Sequence, residues 1–391
     1  MKRYDVAVCG GGIAGIAAAL AAARQGRKTC LLEKEYALGG LATLGLIVIY
    51  LPLCDGAGVK MSAGLCEELL KLSLKYGPGE IPTPWKEENS SLEARSRERY
   101  RVEYNAASLI IAAEEALVES GVDLYYDTRI TGAKTQDDRV TAVEYATKTG
   151  FDWIEAAAFV DCTGDADLCF FAGEPTLEDD QNRRTGWYYS YNGEKLALHG
   201  LSDPLHSQVP EDSRLYSGTK TEDISQSMIN SRKMILKHVQ GLREQGDGGA
   251  YPLLIPTYHG LRMTRRLEGA FQFSSADHEG VWFSDAIGMI GDWRYAKRRY
   301  TLPFRSIAGV KYNNLYAAGR CCAASLKGSD FIGSGWDVTR VIPTCAVTGE
   351  AAGVAAALQS KEGSRPAVQT LQTALKEAGV LFQPELFSRH M

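Results

Sequence analysis

No two of the nine cysteines in this chain, at positions 9, 30, 54, 66, 162, 169, 321, 322 and 345, are spaced CxxC. That removes the usual sequence signal of a structural zinc site and of a thioredoxin-like motif, so no metal is expected. An odd count in 391 residues favours reduced thiols and a cytoplasmic setting. Clustered basic charge is missing as well. The net charge is -5 and the Lys and Arg residues are scattered, which argues against nucleic acid as a partner. Internal repeats and low-complexity tracts are absent. The chain also lacks an unbroken apolar run of the ~20 residues that a membrane span needs. Its nearest approach, residues 6–23, follows Lys2-Arg3 but is interrupted by Gly10, Gly11, Gly12 and Gly15. A signal peptide or membrane partner is therefore not expected.

The interrupted run reads instead as strand, turn and helix. Tyr4 to Cys9 is a buried parallel strand, Ala14 to Gln25 an Ala-rich helix stopped by Gly26, and Lys28 to Leu32 a second strand ending at Glu33. Gly10, Gly12 and Gly15 make GxGxxG: a tight turn, a close approach for a pyrophosphate, and close packing of helix on strand. The helix N-terminus, with Ile13 and Ala14, supplies amides and partial positive charge. Glu33 is placed to accept hydrogen bonds from a ribose diol, with Lys34 beside it. These features predict an α/β fold with a Rossmann-like dinucleotide-binding domain.

The segment "EKEYALGGLATLGL" (33–46), with Gly39, Gly40, Leu41, Ala42 and Thr43, resembles the stretch after the second strand in the glutathione-reductase-like FAD superfamily. There a Gly-Gly pair passes beneath the FAD pyrophosphate. Residues 104–176 read as a helix, a strand ending near Ile130, strands joined by "TQDDR", and a strand running into Thr163-Gly164-Asp165. "NNLYAAGRCC" (313–322) supplies Gly319-Arg320, and "RVIPTCAVTGEAAGVAAAL" (340–358) resembles the closing helix at the flavin N1 edge. Together they resemble the FAD-dependent oxidoreductases, relatives of the fumarate reductase flavoproteins. The resemblance implies FAD as cofactor and contacts from these residues, with Arg340, Ala351 and Ala352 added from the closing helix. The Gly-Gly pair also reads as a helix cap, and Thr163-Gly164-Asp165 as an ordinary turn.

Other features of such flavoproteins are missing. "LATLGLIVIYLPLCDGAG" holds a single Cys54 where disulfide reductases carry CxxxxC, and no second GxGxxG marks an NAD(P)H domain. The adjacent Cys321 and Cys322 read as small buried residues, since a vicinal disulfide is strained.

The expected organisation is a discontinuous FAD domain (1–75, 100–175 and 306–360) with an inserted α+β substrate or cap domain (177–305). An excursion at 76–99 either orders over the site or stays solvated, and 361–391 forms a helical tail. In the cap, "RRTGWYYSYNGEKLALHG" suggests strands, 223–246 a helix with Met228, Ile235, Leu236, Val239 and Leu242 on its apolar face, and "GAFQFSS" a strand. "YHGLRMTRR" concentrates substrate-side candidates: His259 as a general base, and Arg262, Arg265 and Arg266 as carboxylate clamps, with Tyr258 beside them. The bland alternative is that such arginines join segments through carboxylate pairs.

The expected reaction is hydride transfer between flavin N5 and a small organic substrate (C–OH, C–N or activated C=C), with an electron donor or acceptor that the sequence does not name. An electron-transferring flavoprotein subunit and a flavin monooxygenase are the alternatives.

Overall fold

The computed structural model describes residues 1–180, 182–183, 185–201, 214–261, 264–326 and 334–391. The opening strand is Lys2–Cys9, the helix after the glycine turn Ile13–Arg24, and the second strand Thr29–Leu32. They form the centre of a seven-stranded sheet. Its order is Asp123–Tyr125, Thr29–Leu32, Lys2–Cys9, Gly150–Asp161, Arg139–Thr147 and Arg129–Gln136, with Leu315–Ala317 paired beside the upper half of Gly150–Asp161. The first four run parallel, while the last two form an antiparallel meander. This is an α/β fold with a Rossmann-like domain plus additional structure. The inner stretches of the parallel strands, residues 6–9, 29–32 and 158–160, are buried and almost wholly apolar, because both faces are covered there.

The expected strand ending near Ile130 is two strands. Asp127 has a φ of 56° and breaks the run, so Ile130 is the second residue of Arg129–Gln136 rather than the end of a strand. The closing helix, Ile342–Glu362, lies against the first helix through bare glycines. A Cβ on Gly349 would stand 2.2 Å from the carbonyl oxygen of Ala14, and one on Gly353 the same distance from that of Ala18. The small-residue composition of both helices therefore follows from the closeness of this crossing.

Trp187–Tyr191 is the middle strand of a second, three-stranded antiparallel sheet, between Leu196–Gly200 and Tyr251–Leu254. The helix Thr221–Glu244 packs on it, burying Ile235 and Val239 against Tyr188. Leu236 was expected on the same face, yet it is exposed; Ser227 and Ser231 are buried in line with Ile235 instead. "GAFQFSS" is not a strand, since only Phe273 pairs, in an isolated bridge to Ala324. Residues 281–303 turn back to the main core, where Val281, Ile287, Ile290 and Tyr300 join the cluster around the closing helix.

Within the 76–99 stretch, short helices at Thr83–Lys86 and Leu92–Arg97 dock through Trp85, which stacks on Tyr100 at 4.9 Å and lies under Arg95. The tail forms the helix Val368–Glu377. Among the described residues, no helix is long and apolar enough to cross a membrane.

Glu350, on the closing helix, is 1% exposed and accepts a hydrogen bond from the Leu65 amide at 3.0 Å. Burial pushes its pKa up to about 8, against the amide that favours the charged form. The folded pKa lies above the unfolded one, so this group's contribution to stability is full below the unfolded pKa and is lost as pH rises through about 8. Glu350→Gln is expected to raise Tm by about 2–4 °C near pH 9 and to leave it nearly unchanged near pH 5. Thermal melts at the two pH values check this; an equal effect at both removes the titration from the account.

Candidate functional site

The cleft begins where the sheet ends. Gly10 has a φ of 102°, and a Cβ there would stand 2.3 Å from the Cys162 carbonyl oxygen, so only glycine turns the chain this tightly. Gly15 faces the same turn: its Cβ would collide with the Gly10 oxygen at 1.8 Å. Gly12 is different, because a Cβ on it meets nothing within 4 Å. It faces the cleft, and the first amides of the helix Ile13–Arg24, which lack intrahelical acceptors, open beside it. Gly39 runs alongside, bridged to Gly12, with its amide donating to the Gly11 oxygen at 2.8 Å.

This cleft encloses about 880 Å³, open solvent included. Of the residues expected to hold the cofactor, it is lined by Gly10, Gly12, Ile13, Ala14, Glu33, Lys34, Gly39, Gly40, Leu41, Ala42, Ile130, Thr163, Gly164, Gly319, Arg320 and Arg340. Segments more than 300 residues apart in sequence therefore meet on one surface. Gly15 and Thr43 lie beneath it; Thr43 donates to the Leu38 carbonyl at 2.5 Å and shapes the Gly-Gly turn from behind. Ala351 and Ala352 are not at the cleft. The helix reaches it at Ile342 and Cys345, with Arg340 just ahead of its start, and Ala351 lies roughly 9 Å beyond Cys345 along the axis, packed in the core.

Glu33 is 6% exposed and accepts from the amides of Gly11 at 2.6 Å and Glu35 at 2.9 Å. Burial raises its pKa, with those two amides opposing the rise. Each carboxylate oxygen keeps a second lone pair, so the group both braces the glycine turn and remains an acceptor at the cleft. Asp165 does not line the cleft; its carboxylate is gathered by the Thr264 hydroxyl (2.8 Å), Arg320 (3.5 Å) and Lys34 (3.8 Å). Burial pulls the Lys34 ammonium down, but Tyr258 and Asp165 outweigh it and its pKa is raised. Arg320 also donates to the Leu261 carbonyl at 2.5 Å.

The turn below is held by a buried carboxylate. Asp161 accepts from the Thr163 amide and hydroxyl at 3.0 and 2.8 Å. Cys321 is buried with a free thiol, and its sulfur accepts from the amides of Gly164 and Ala166 at 3.2 and 3.3 Å. Burial pushes this thiol well above its ordinary pKa. Cys321 is therefore a neutral acceptor for the turn, and Cys322 is likewise buried and unbridged.

Arg340 sits at the mouth of the closing helix, bound by two of its nitrogens to Asp337 at 3.0 and 2.5 Å and stacked over Trp336. Arg294 bridges Asp292 and Asp337 beneath it, so this cation is presented to the cleft on a buried ionic scaffold.

The catalytic candidates are not brought together in the cleft. His259 lines a separate narrow slot with Trp187, Met228, Arg232 and Ile47, and shares a hydrogen bond with Ser227 at 2.8 Å. Burial, with Arg232 adding to it, lowers its pKa to about 4, so it is neutral near pH 7. Arg265 is paired with Asp167 at 2.6 Å and lies over Phe170, joining its strand to the helix Asp167–Ala172. That geometry matches the segment-joining alternative better than a substrate clamp. Asp167 in turn is pushed up to about 6 by burial and by Asp165 and Asp161, against the pull of Arg265. Arg262 lies outside the described residues.

Sequence reasoning missed Leu32, Thr128, Arg129, Cys162, Asp167, Ala318, Ile342 and Cys345, all of which line the cleft. Most are neighbours of expected residues. Tyr258, expected only as a neighbour of the substrate-side candidates, lines the cofactor cleft: it arrives from the cap because the amides of Thr257 and Tyr258 both donate to the Leu44 carbonyl, at 3.0 and 3.2 Å.

The sequence model described as FAD dependent oxidoreductase matches residues 5–189 and 178–377. Among curated proteins nothing matches. The chain is similar to the solved structure of a geranylgeranyl bacteriochlorophyll reductase-like protein from Thermoplasma acidophilum, at 12% identity and TM-score 0.46, covering 97% of this chain and 83% of that one. It is similar also to a p-nitrophenol 4-monooxygenase from Pseudomonas putida DLL-E4, at 12% identity and TM-score 0.49, covering 97% and 85%. A third likeness is to a flavoprotein/dehydrogenase from Cytophaga hutchinsonii, at 13% identity and TM-score 0.45, covering 96% and 82%. Likenesses this distant say nothing about substrate.

Proposed function

This chain belongs to the FAD dependent oxidoreductase family, is an enzyme and takes FAD as its cofactor, and on that premise we propose that it transfers a hydride between a small organic substrate and flavin N5. The residues of the cleft fit such a group: an open approach at Gly12, helix amides beside it, and an acidic acceptor at Glu33. When bound, FAD supplies hydride acceptance or donation at its flavin ring.

The observation that carries the reading is the meeting of the cap segment 256–261 with the cleft. Tyr258 enters the cleft wall, Thr257 and Tyr258 bond to Leu44, and Arg320 bonds to Leu261. A substrate held on the cap side is thus presented at the edge of the cofactor site. There the chain positions the substrate, excludes water and holds the charge of Arg340 and Arg320 at fixed points. His259, neutral and anchored by Ser227, is proposed to take the substrate proton at a ring nitrogen.

The same reading places the chain beside the glutathione-reductase-like flavoproteins and the fumarate reductase flavoproteins. Its support is the Gly39-Gly40 pair running back under the turn to Gly12. The 177–305 segment is proposed as the substrate side, and the electron partner is a small molecule or protein still to be identified.

The test is an anaerobic screen of alcohols, amines and activated alkenes against FAD-loaded protein, read as bleaching or recovery of the flavin's visible band. A protein that exchanges electrons only with another protein would sink the small-substrate reading. In His259→Ala, FAD content is expected to hold while reduction by the substrate so found slows by about 10- to 100-fold. Unchanged kinetics would remove His259 from the mechanism.

A further inference from the structure

Asp165, an expected cofactor contact, stands outside the cleft and ties together three side chains from separate parts of the fold. Its carboxylate accepts from the Thr264 hydroxyl at 2.8 Å and lies 3.5 Å from Arg320 and 3.8 Å from Lys34. Lys34 and Arg320 do line the cleft, so Asp165 holds them from behind. Lys34 follows the strand Thr29–Leu32, Asp165 follows Gly150–Asp161, and these two strands flank Lys2–Cys9 on opposite sides. Strands two places apart in a sheet are separated by about 9.5 Å. A contact of 3.8 Å between side chains beyond their ends therefore crosses the glycine turn into which the middle strand runs.

The cap comes down on this crossing. The amides of Thr257 and Tyr258 bond to the Leu44 carbonyl, just past the Gly-Gly segment, and Arg320 donates to the Leu261 carbonyl, just past Leu315–Ala317. The chain between them thus runs from one wall of the cleft to the other, and it lays the Tyr258 ring 5.0 Å from the Lys34 ammonium. Gly12, the open approach for a pyrophosphate, lines the same space as Tyr258 and Lys34. Every one of these ties is between protein groups, so the closure forms with or without the cofactor. The ties are also weak. The ion contacts are long, and the side chains of Lys34 and Asp165 stay 20% and 18% exposed, which leaves such a pair little net strength. A closure of this kind opens locally, without unfolding the sheet beneath it.

We propose that segment 257–261 is a strap over the phosphate-bearing part of bound FAD, with Asp165 as its latch. FAD enters and leaves only when Asp165 lets go of Lys34, Arg320 and Thr264. The inference rests on the cofactor lying beside Gly12, and adds to that reading a control of its exchange. Asp165 is a positioning residue in this account: it touches no cofactor atom and passes no proton. A latch sets a barrier common to entry and exit, so weakening it raises both rates by a similar factor and leaves affinity nearly unchanged. A lost contact raises release alone. Removing a negative charge beside phosphates speeds uptake and slows release.

Stopped-flow mixing of FAD with apoprotein gives the uptake rate from flavin fluorescence, and dilution of the holoprotein gives the release rate. Asp165→Asn is expected to raise both about tenfold, with affinity kept within about threefold. Thr264→Val removes the hydroxyl and keeps every charge, and both rates are expected to rise about fivefold. Faster release with unchanged uptake would make Asp165 an ordinary contact. Faster uptake with slower release would make it only a charge near the phosphates. Either pattern overturns the latch, as do unaltered rates in both variants. Should Asp165→Asn fail to fold, Thr264→Val decides. Failure of the unaltered protein to take up FAD sinks the parent reading, while normal uptake with both variants unaffected sinks this one alone.

Discussion

Gly12→Val is expected to give a folded, colourless protein. At most other glycines of the turn a side chain would damage the fold first: Gly10 has its positive φ and the Cys162 backbone against it, and Gly15 has the Gly10 carbonyl. Gly12 has neither obstacle. Its φ of -68° and ψ of -179° suit any residue, and a Cβ meets no atom within 4 Å. The isopropyl group therefore projects into the cleft, into the approach a pyrophosphate needs, and displaces its contacts with the helix amides. We expect FAD affinity to fall by at least about 100-fold, while Tm of the flavin-free protein stays within about 2 °C of the unaltered apoprotein. Visible absorbance and far-ultraviolet circular dichroism of the same preparation measure both. Normal flavin content would mean that the cofactor's phosphates do not enter beside Gly12. A colourless protein that is also unfolded would mean that the open space at Gly12 is not there.

The contrast between Gly12 and its neighbours explains what was legible in the sequence. Strand, glycine turn, helix, strand and Glu33 follow one another without gaps, and each obeys a local rule, so that portion of the fold and most of the cleft's lining were readable. Local rules failed where partners are distant. The seam between the first and closing helices is written only as small residues, which would suit any close packing. Nothing short of the crossing itself shows that Ala351 and Ala352 are core rather than cofactor contacts. Tyr258 reaches the cleft because of two backbone bonds to Leu44, a contact across more than 200 residues that has no sequence signature. Arg265 and Arg266 are indistinguishable as letters. Strand alternation sends Arg265 to Asp167 and Arg266 to the Ala324 carbonyl.

The cap illustrates the same limit from the apolar side. Met228, Ile235, Leu236, Val239 and Leu242 fit a helical stripe, yet the face of Thr221–Glu244 turned to the sheet includes Ser227 and Ser231. Those serines are buried because they are used: Ser231 donates to the Ser227 carbonyl, and Ser227 holds His259. A hydrophobicity pattern rates them as surface, so the polar link between cap helix and His259 stays hidden until the fold is known.

The second large effect lies at that helix seam. Gly349→Val is expected to destabilise the protein by about 4 kcal/mol or more, a large part of the ~5–15 kcal/mol that ordinarily separates folded from unfolded chains. Its Cβ would lie 2.2 Å from the Ala14 carbonyl oxygen, and the obstacle is backbone, so no rotamer relieves it. Helix propensity works the other way, since replacing a helical glycine stabilises by a few tenths of a kcal/mol, and is too small to compensate. The two helices must part, and the one displaced carries the phosphate-binding amides, so flavin should be lost along with stability. Gly241→Val is the matched comparison: it lies in the helix Thr221–Glu244 with nothing within 4 Å of a Cβ, so propensity acts alone and Tm should hold or rise slightly. Denaturant melts of the two variants read the difference directly. If Gly349→Val behaves like Gly241→Val, the helices do not cross in contact, and the closing helix loses its place at the cofactor.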